Sequence, residues 1–181
     1  MRLGFLFLIF ISLCLSVSSL AQDKIHWITM NQLEVAMAKE PKKVLIDVYT
    51  NWCGPCKMMM SQTFSNSEII TYVNDNFYAV KFNAEGNEAF TFLGVNYVNK
   101  SFNPANANRR NGTHDFTQAI APVNGRIAYP TLVYLDENSQ IISPVQGFWK
   151  SREYLPLIHF IGEEVYKSSS SFDSYKSNYY K

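Results

Sequence analysis

Cys53 and Cys56 stand three positions apart in Trp52-Cys53-Gly54-Pro55-Cys56-Lys57, and no other residues in the chain are better placed to do chemistry. A disulfide between them would close a tiny loop. Stabilisation from loop closure grows with loop length, so such a bridge does little as a staple. Reversible thiol–disulfide exchange is the better use of the pair, because a thiolate can attack a disulfide and a second thiol nearby can resolve the product. The competing use is half of a zinc site. Zinc needs four ligands and usually a second Cys or His pair. His26, His114 and His159 are scattered singly, so no metal site is expected. A working dithiol also needs no cofactor.

The start of the chain says where the pair works. Arg2 precedes an apolar run, Leu3 to Leu15, and Ser18-Ser19-Leu20-Ala21 follow shortly before Gln22-Asp23. A positive start, a short apolar core and small residues at Ser19 and Ala21 make residues 1–21 a secretory signal peptide. The run is short for a membrane span of about 20 residues. A lipid attached at Cys14 would require a small residue before it, and Leu13 stands there. The expected location is therefore the periplasm, with secretion or an uncleaved membrane anchor as alternatives. Cleavage removes Cys14 and leaves Cys53 and Cys56 as the thiols. It also removes Arg2, which balances the 16 basic and 15 acidic side chains of the full sequence. The remainder, about 160 residues, can bury roughly 70% of its unfolded surface in one core. A hydrophobic content of 47% excludes a wholly disordered chain, and a net charge of +1 argues against a nucleic-acid partner.

The elements that must hold the pair are readable in order. Ile25 to Ile28 is a short strand. Thr29 caps a helix through Lys39 that turns Leu33, Ala36 and Met37 inward, and Pro41 stops it. Residues 43–50 form a buried strand broken by one carboxylate, Asp47. Cys53 opens a helix with Met58, Met59 and Phe64 as core residues. Ser67 caps the next helix, with Ile69, Ile70 and Val73 inward, and a strand follows over 77–83. Residues 131–136 and 140–145 make a β-hairpin, and Ser151 caps a helix through Tyr166. Residues 167–181 are a Ser-rich tail with Phe172, Tyr175 and Tyr179 at helical spacing, which leaves a 22–166 domain.

With these elements in place, the sequence resembles the thioredoxin family. Trp-Cys-Gly-Pro-Cys-Lys matches the thioredoxin active site residue for residue. Asp47 has the spacing of the family's buried acid, six residues before the first cysteine, and Lys81 matches its usual lysine. Ala128-Tyr129-Pro130-Thr131 looks like the cis-proline loop, and the resemblance covers about residues 43–150. It implies an α/β thioredoxin fold, a central mixed β-sheet flanked by helices. Residues 84–127 are longer than that plan needs. They contain a small hairpin, Phe90 to Tyr97, an Asn-rich exposed loop over 100–113, and a helix capped by Thr113 and closed by Asn124-Gly125. This insertion resembles exported bacterial thioredoxin-like proteins more than cytosolic thioredoxin. Arg109 and Arg110 read as solvated loop arginines rather than as a docking patch.

The resemblance also implies roles. Cys53, stabilised as a thiolate at a helix N-terminus, attacks a substrate disulfide, and Cys56, one turn deeper and less exposed, resolves the mixed disulfide. Asp47 takes the Cys56 proton, and Lys81 pairs with Asp47 and tunes it. Trp52, Gly54, Pro55, Tyr129 and Pro130 form the substrate surface, Pro130 letting a neighbouring backbone pair with an incoming strand. Gly54-Pro55 points to a reductant of protein disulfides, a monomer supplied with electrons by a membrane-bound thiol reductase. An oxidase or isomerase is the alternative, because Tyr129 stands where Ile or Thr is usual. A non-catalytic peptide-binding or chaperone module would need none of Cys53, Cys56, Asp47 and Pro130.

Overall fold

The computed structural model describes residues 24–181, and the leader read at 1–21 lies outside them. A five-stranded mixed sheet organises the chain. Its strands are β1 (Trp27–Ile28), β2 (Lys43–Tyr49), β3 (Phe77–Asn83), β6 (Thr131–Leu135) and β7 (Ile141–Gln146), in the order β1-β3-β2-β6-β7. The first three are parallel, β6 runs antiparallel to β2, and β7 runs antiparallel to β6. Central β2 is covered on both faces. Val44, Leu45, Ile46 and Val48 are each 0% exposed, which is why this strand reads as an apolar run broken only by Asp47.

Two cores follow from the alternation of side chains along the strands. Leu45, Tyr134 and Phe77 pack with α3 (Ser67–Asn76) and α5 (Ser151–Gly162). Val44, Ile46 and Phe82 pack with Leu33 of α1 (Met30–Lys39) and Phe116 of α4 (Asp115–Ile120). Each large side chain buried in this way contributes about 1.5–3 kcal/mol. The Thr29 hydroxyl accepts the Gln32 N–H and the Gln32 side chain accepts the Thr29 N–H, a reciprocal cap that fixes where α1 begins.

Several local expectations are corrected. Met58, read as core, is 43% exposed. After α2 (Gly54–Met58) the helix widens into a π-turn over Met59–Thr63, and the Phe64 N–H donates to the Met59 carbonyl at 3.0 Å. That spacing brings Met59 and Phe64 to one face and leaves Met58 outside it. Asn66, not Ser67, caps α3, its side chain accepting the Ile69 N–H. His114, not Thr113, caps α4, with Nδ1 accepting the Phe116 N–H at 3.1 Å. The backbone of Lys150 caps α5, while the Ser151 hydroxyl donates to the Gln62 carbonyl. Helix α5 stops at Gly162, because Glu164 takes a left-handed conformation with φ of 59°.

The 84–127 segment holds the small hairpin, β4 (Phe90–Phe92) with β5 (Val95–Tyr97), and then the loop and α4. Tyr49 is in register with Asn83, and Val48 with Thr131. The segment therefore leaves β3 and enters β6 at the same rim of the sheet, the rim from which β2 runs into Cys53. In the tail, α6 (Phe172–Asn178) lies on α5, with Phe172 and Tyr175 each 5.5 Å from Phe160 between ring centroids.

Candidate active site

Strand β2 ends at Tyr49, and the turn that follows delivers Cys53 to the N-cap of α2 with Pro55 in its first turn. Proline suits that position, since its missing N–H has no helical partner there anyway. Cys53 and Cys56 form a disulfide, with Cα atoms 5.3 Å apart. The Cys53 sulfur accepts the Cys56 N–H at 3.1 Å. One of the orphan amides of the helix start thus points at the sulfur that would carry charge in the reduced form.

The expected difference in exposure between the cysteines is not present. Cys53 is 2% exposed and Cys56 3%, so the disulfide they share is buried at both ends. They differ instead in what they face. Cys53 lines an open cleft of about 550 Å³ with Trp52, Gly54, Pro55, Arg110 and Tyr129. Cys56 lines a smaller cleft of about 170 Å³ with Thr50, Met60 and Lys81.

Behind Cys56, Asp47 and Lys81 sit opposite each other on parallel β2 and β3, and the lysine ammonium donates to Asp47 Oδ2. Asp47 is 1% exposed. Burial pushes its carboxyl above the usual range, and the Lys81 charge offsets this only in part. Asp47 Oδ1 makes no hydrogen bond. Lys81 is further held by the Met60 sulfur at 2.9 Å and by the Tyr49 ring, 4.5 Å from its nitrogen.

In front of Cys53, Trp52 is set by residues from the 84–127 segment. Its indole N–H donates to Glu85 Oε2 at 2.7 Å, and the Arg110 guanidinium lies 4.6 Å over its ring. Tyr129 meets it edge-on at 5.8 Å between centroids. The Tyr129 phenol is pushed up to about 12, first by burial and then by the Glu85 carboxylate. The Tyr129–Pro130 peptide is cis, and Pro130 is buried. Gly54 and Pro55 are exposed at the cleft mouth. All nine residues singled out from the sequence thus lie at the disulfide, in its clefts or in the elements beside them.

Glu85, Arg110, Asn111 and Met60 were not anticipated. Glu85 follows a strand end and Asn111 sits in a loop, with no spacing rule to mark either. Arg110 and Arg109 are both exposed, and Arg110, read as solvated, also stacks on Trp52. The abundance of asparagine in the loop was the available signal. The Asn103 N–H donates to Asn111 Oδ1 at 2.7 Å, and Asn111 Nδ2 donates back to the Asn103 carbonyl at 2.8 Å. His114 and His159 belong to separate local arrangements, His114 capping α4 and His159 pairing with Glu163.

A family model described as a thioredoxin-like domain matches residues 30–162. The thioredoxin of Acidithiobacillus ferridurans is 34% identical over 65 residues, covering 36% of this chain and 57% of that protein. The chain therefore spans little more than half the length of that curated relative. A thioredoxin-fold protein from Helicobacter pylori superposes with a TM-score of 0.55 at 18% identity, over 76% of this chain and 80% of that one. A DsbH oxidoreductase does so at 0.50 and 13%, over 79% and 88%. At these identities the likeness is one of fold. The family match spans β2, β3, β6 and β7 of the sheet, both cysteines and the buried Asp47–Lys81 pair, and the chain belongs to the thioredoxin-like domain family.

Proposed function

We propose that the protein is an exported thiol–disulfide oxidoreductase that works mainly as a reductant of protein disulfides. The observation that carries this reading is the Cys53–Cys56 disulfide, with the Cys53 sulfur on a helix-start amide and facing an open cleft. In the reduced protein, the Cys53 thiolate attacks one sulfur of a substrate disulfide. The substrate S–S bond breaks, a mixed disulfide forms, and the first substrate thiolate leaves and takes a proton. Cys56 then loses its proton and attacks the Cys53 sulfur. The mixed disulfide breaks, the Cys53–Cys56 bond forms, and the second substrate thiol is released. Two electrons and two protons pass to the substrate in all.

Asp47 is the base for the second step. Its carboxyl is raised by burial, and its Oδ2 is held by Lys81, so Oδ1 is the oxygen that receives the proton. Lys81 and Cys56 line one cleft, which supports a path between them. Gly54-Pro55 between the cysteines supports the reducing direction. A membrane-bound thiol reductase would return the dithiol to its reduced form. Export rests on the pattern of residues 1–21 and includes removal of that leader, leaving the 22–166 domain and the 167–181 tail.

Equilibration with glutathione buffers, with the dithiol fraction read at each ratio, tests the direction. A potential at the reducing end of the family is expected. One as oxidising as a dedicated disulfide donor would overturn the reductant reading in favour of an oxidase. Recovery of a chain beginning at Gln22 from outside the cytoplasm tests export, and a full-length cytoplasmic chain would refute it.

A further inference from the structure

We propose that Arg110 makes the cleft in front of Cys53 selective for disulfides that carry a carboxylate side chain beside the reacting cysteine. The inference deepens the oxidoreductase reading and rests on it. Arg110 and Cys53 line the same cleft, whose volume of about 550 Å³ leaves room for side chains flanking a bound cysteine. The guanidinium spends one face on the Trp52 ring, at 4.6 Å. A stacked guanidinium keeps its N–H edge open, and that edge fits a carboxylate through two parallel hydrogen bonds. Among the described residues Arg110 makes no ion pair.

The cleft's own carboxylate does not fill this place. Glu85 is 9% exposed, and its Oε2 is taken by the Trp52 indole at 2.7 Å and by the Asn111 N–H at 2.8 Å. It acts as an anchor for the residue next to Arg110. The loop is tied at other points too. Asn51 Nδ2 donates to the Ala107 carbonyl at 2.8 Å, and Asn99 Nδ2 to the Gly112 carbonyl at 2.6 Å. Arg110 is therefore presented from a fastened loop, so little ordering cost is left for the substrate to meet. A lysine or arginine beside the substrate cysteine would meet like charge at the same spot, which adds rejection to attraction.

The test uses three symmetric disulfide-linked peptides, identical except for Glu, Gln or Lys beside the cysteine. The protein is reduced with dithiothreitol, freed of it, and single-turnover rates are compared. The wild-type protein should reduce the Glu peptide about 5-fold faster than the Lys peptide at low salt, with the gap closing as salt rises. Arg110→Gln should bring the ratio to about one, and Arg110→Lys should keep part of it. Arg109→Gln should keep the wild-type ratio. A wild-type ratio of one, or an unchanged ratio in Arg110→Gln, would overturn the inference while leaving the oxidoreductase reading intact. Failure to reduce all three peptides would overturn both.

Discussion

The disulfide has a rear and a front, and they are held in different ways. Behind Cys56, Asp47 and Lys81 occupy one register position of two parallel strands, so the backbone of the sheet fixes their approach. In front of Cys53, Trp52 is gripped by Glu85 and Arg110, which come from a segment outside the main sheet that the side-chain amides of Asn51, Asn83, Asn99 and Asn111 tie down. The rear carboxylate is buried and raised; the front cation is exposed and stacked. The proton transfer proposed for Asp47 demands burial, which sheet register supplies. The recognition proposed for Arg110 demands reach, which a fastened loop supplies without disturbing the sheet.

The largest expected effects come from the sulfurs that separate the two sides. Cys53→Ser should abolish insulin-type disulfide reduction, whereas Cys56→Ser should form mixed disulfides and stall. Mass spectrometry of the stalled protein reads this directly, and stalling by Cys53→Ser instead would reverse the two faces. Next comes Asp47→Asn, which should slow release of the mixed disulfide about 10²-fold and spare its formation. Equal slowing of both steps would move Asp47 out of the rear assignment.

The same variant has a stability signature. Asp47 has a folded value raised above its ordinary 3.8, so the folded protein holds the extra proton as pH climbs between the two, and stability falls across that window. At neutral pH the buried charge is a cost that asparagine does not carry. Asp47→Asn should therefore gain stability relative to the wild type as pH rises through that window, with the gain vanishing below the ordinary carboxylate value. Urea unfolding on both sides of the window decides it. On the front side, Glu85→Gln should cost about 1–2 kcal/mol by weakening two charge-assisted hydrogen bonds, and should leave the pH profile of release alone. A shifted profile would show that front and rear are not separate. Asn51→Ala should cost least, about 0.5–1 kcal/mol in thermal unfolding, as one exposed tether of the loop.

How well each side could be read from sequence follows the same division. The two apolar runs place strands β2 and β3, and the resemblance to the thioredoxin family, through the spacing of Asp47 before Cys53 and the matching Lys81, marks the rear pair before any coordinates. The hairpin over 90–97 and the Asn124-Gly125 turn were also legible; both turn residues take positive φ, at 50° and 75°. Glu85 and Arg110 were not legible, since loop contacts obey no period. Helix starts slipped where neighbouring residues compete to cap. Thr113 has the better general propensity, but His114 is fully buried and its ring sits where its nitrogen can accept the Phe116 N–H. The equal burial of the two cysteines was equally out of reach, because position on the helix does not report what the neighbouring loops cover.

Strands β3 and β6 are not neighbours; β2 lies between them, and all three meet the same rim. Whatever its length, the chain joining them must cross above the end of β2, where the disulfide is. Lengthening at this one crossing brings new side chains to the reacting sulfurs while every strand pairing stays as it was. The topology thus offers a graft site. Exchange of residues 84–127 between relatives would replace the side chains that line the front of the disulfide, Arg110 among them, without moving Cys53 and Cys56, so the cleft can be altered apart from the sulfurs.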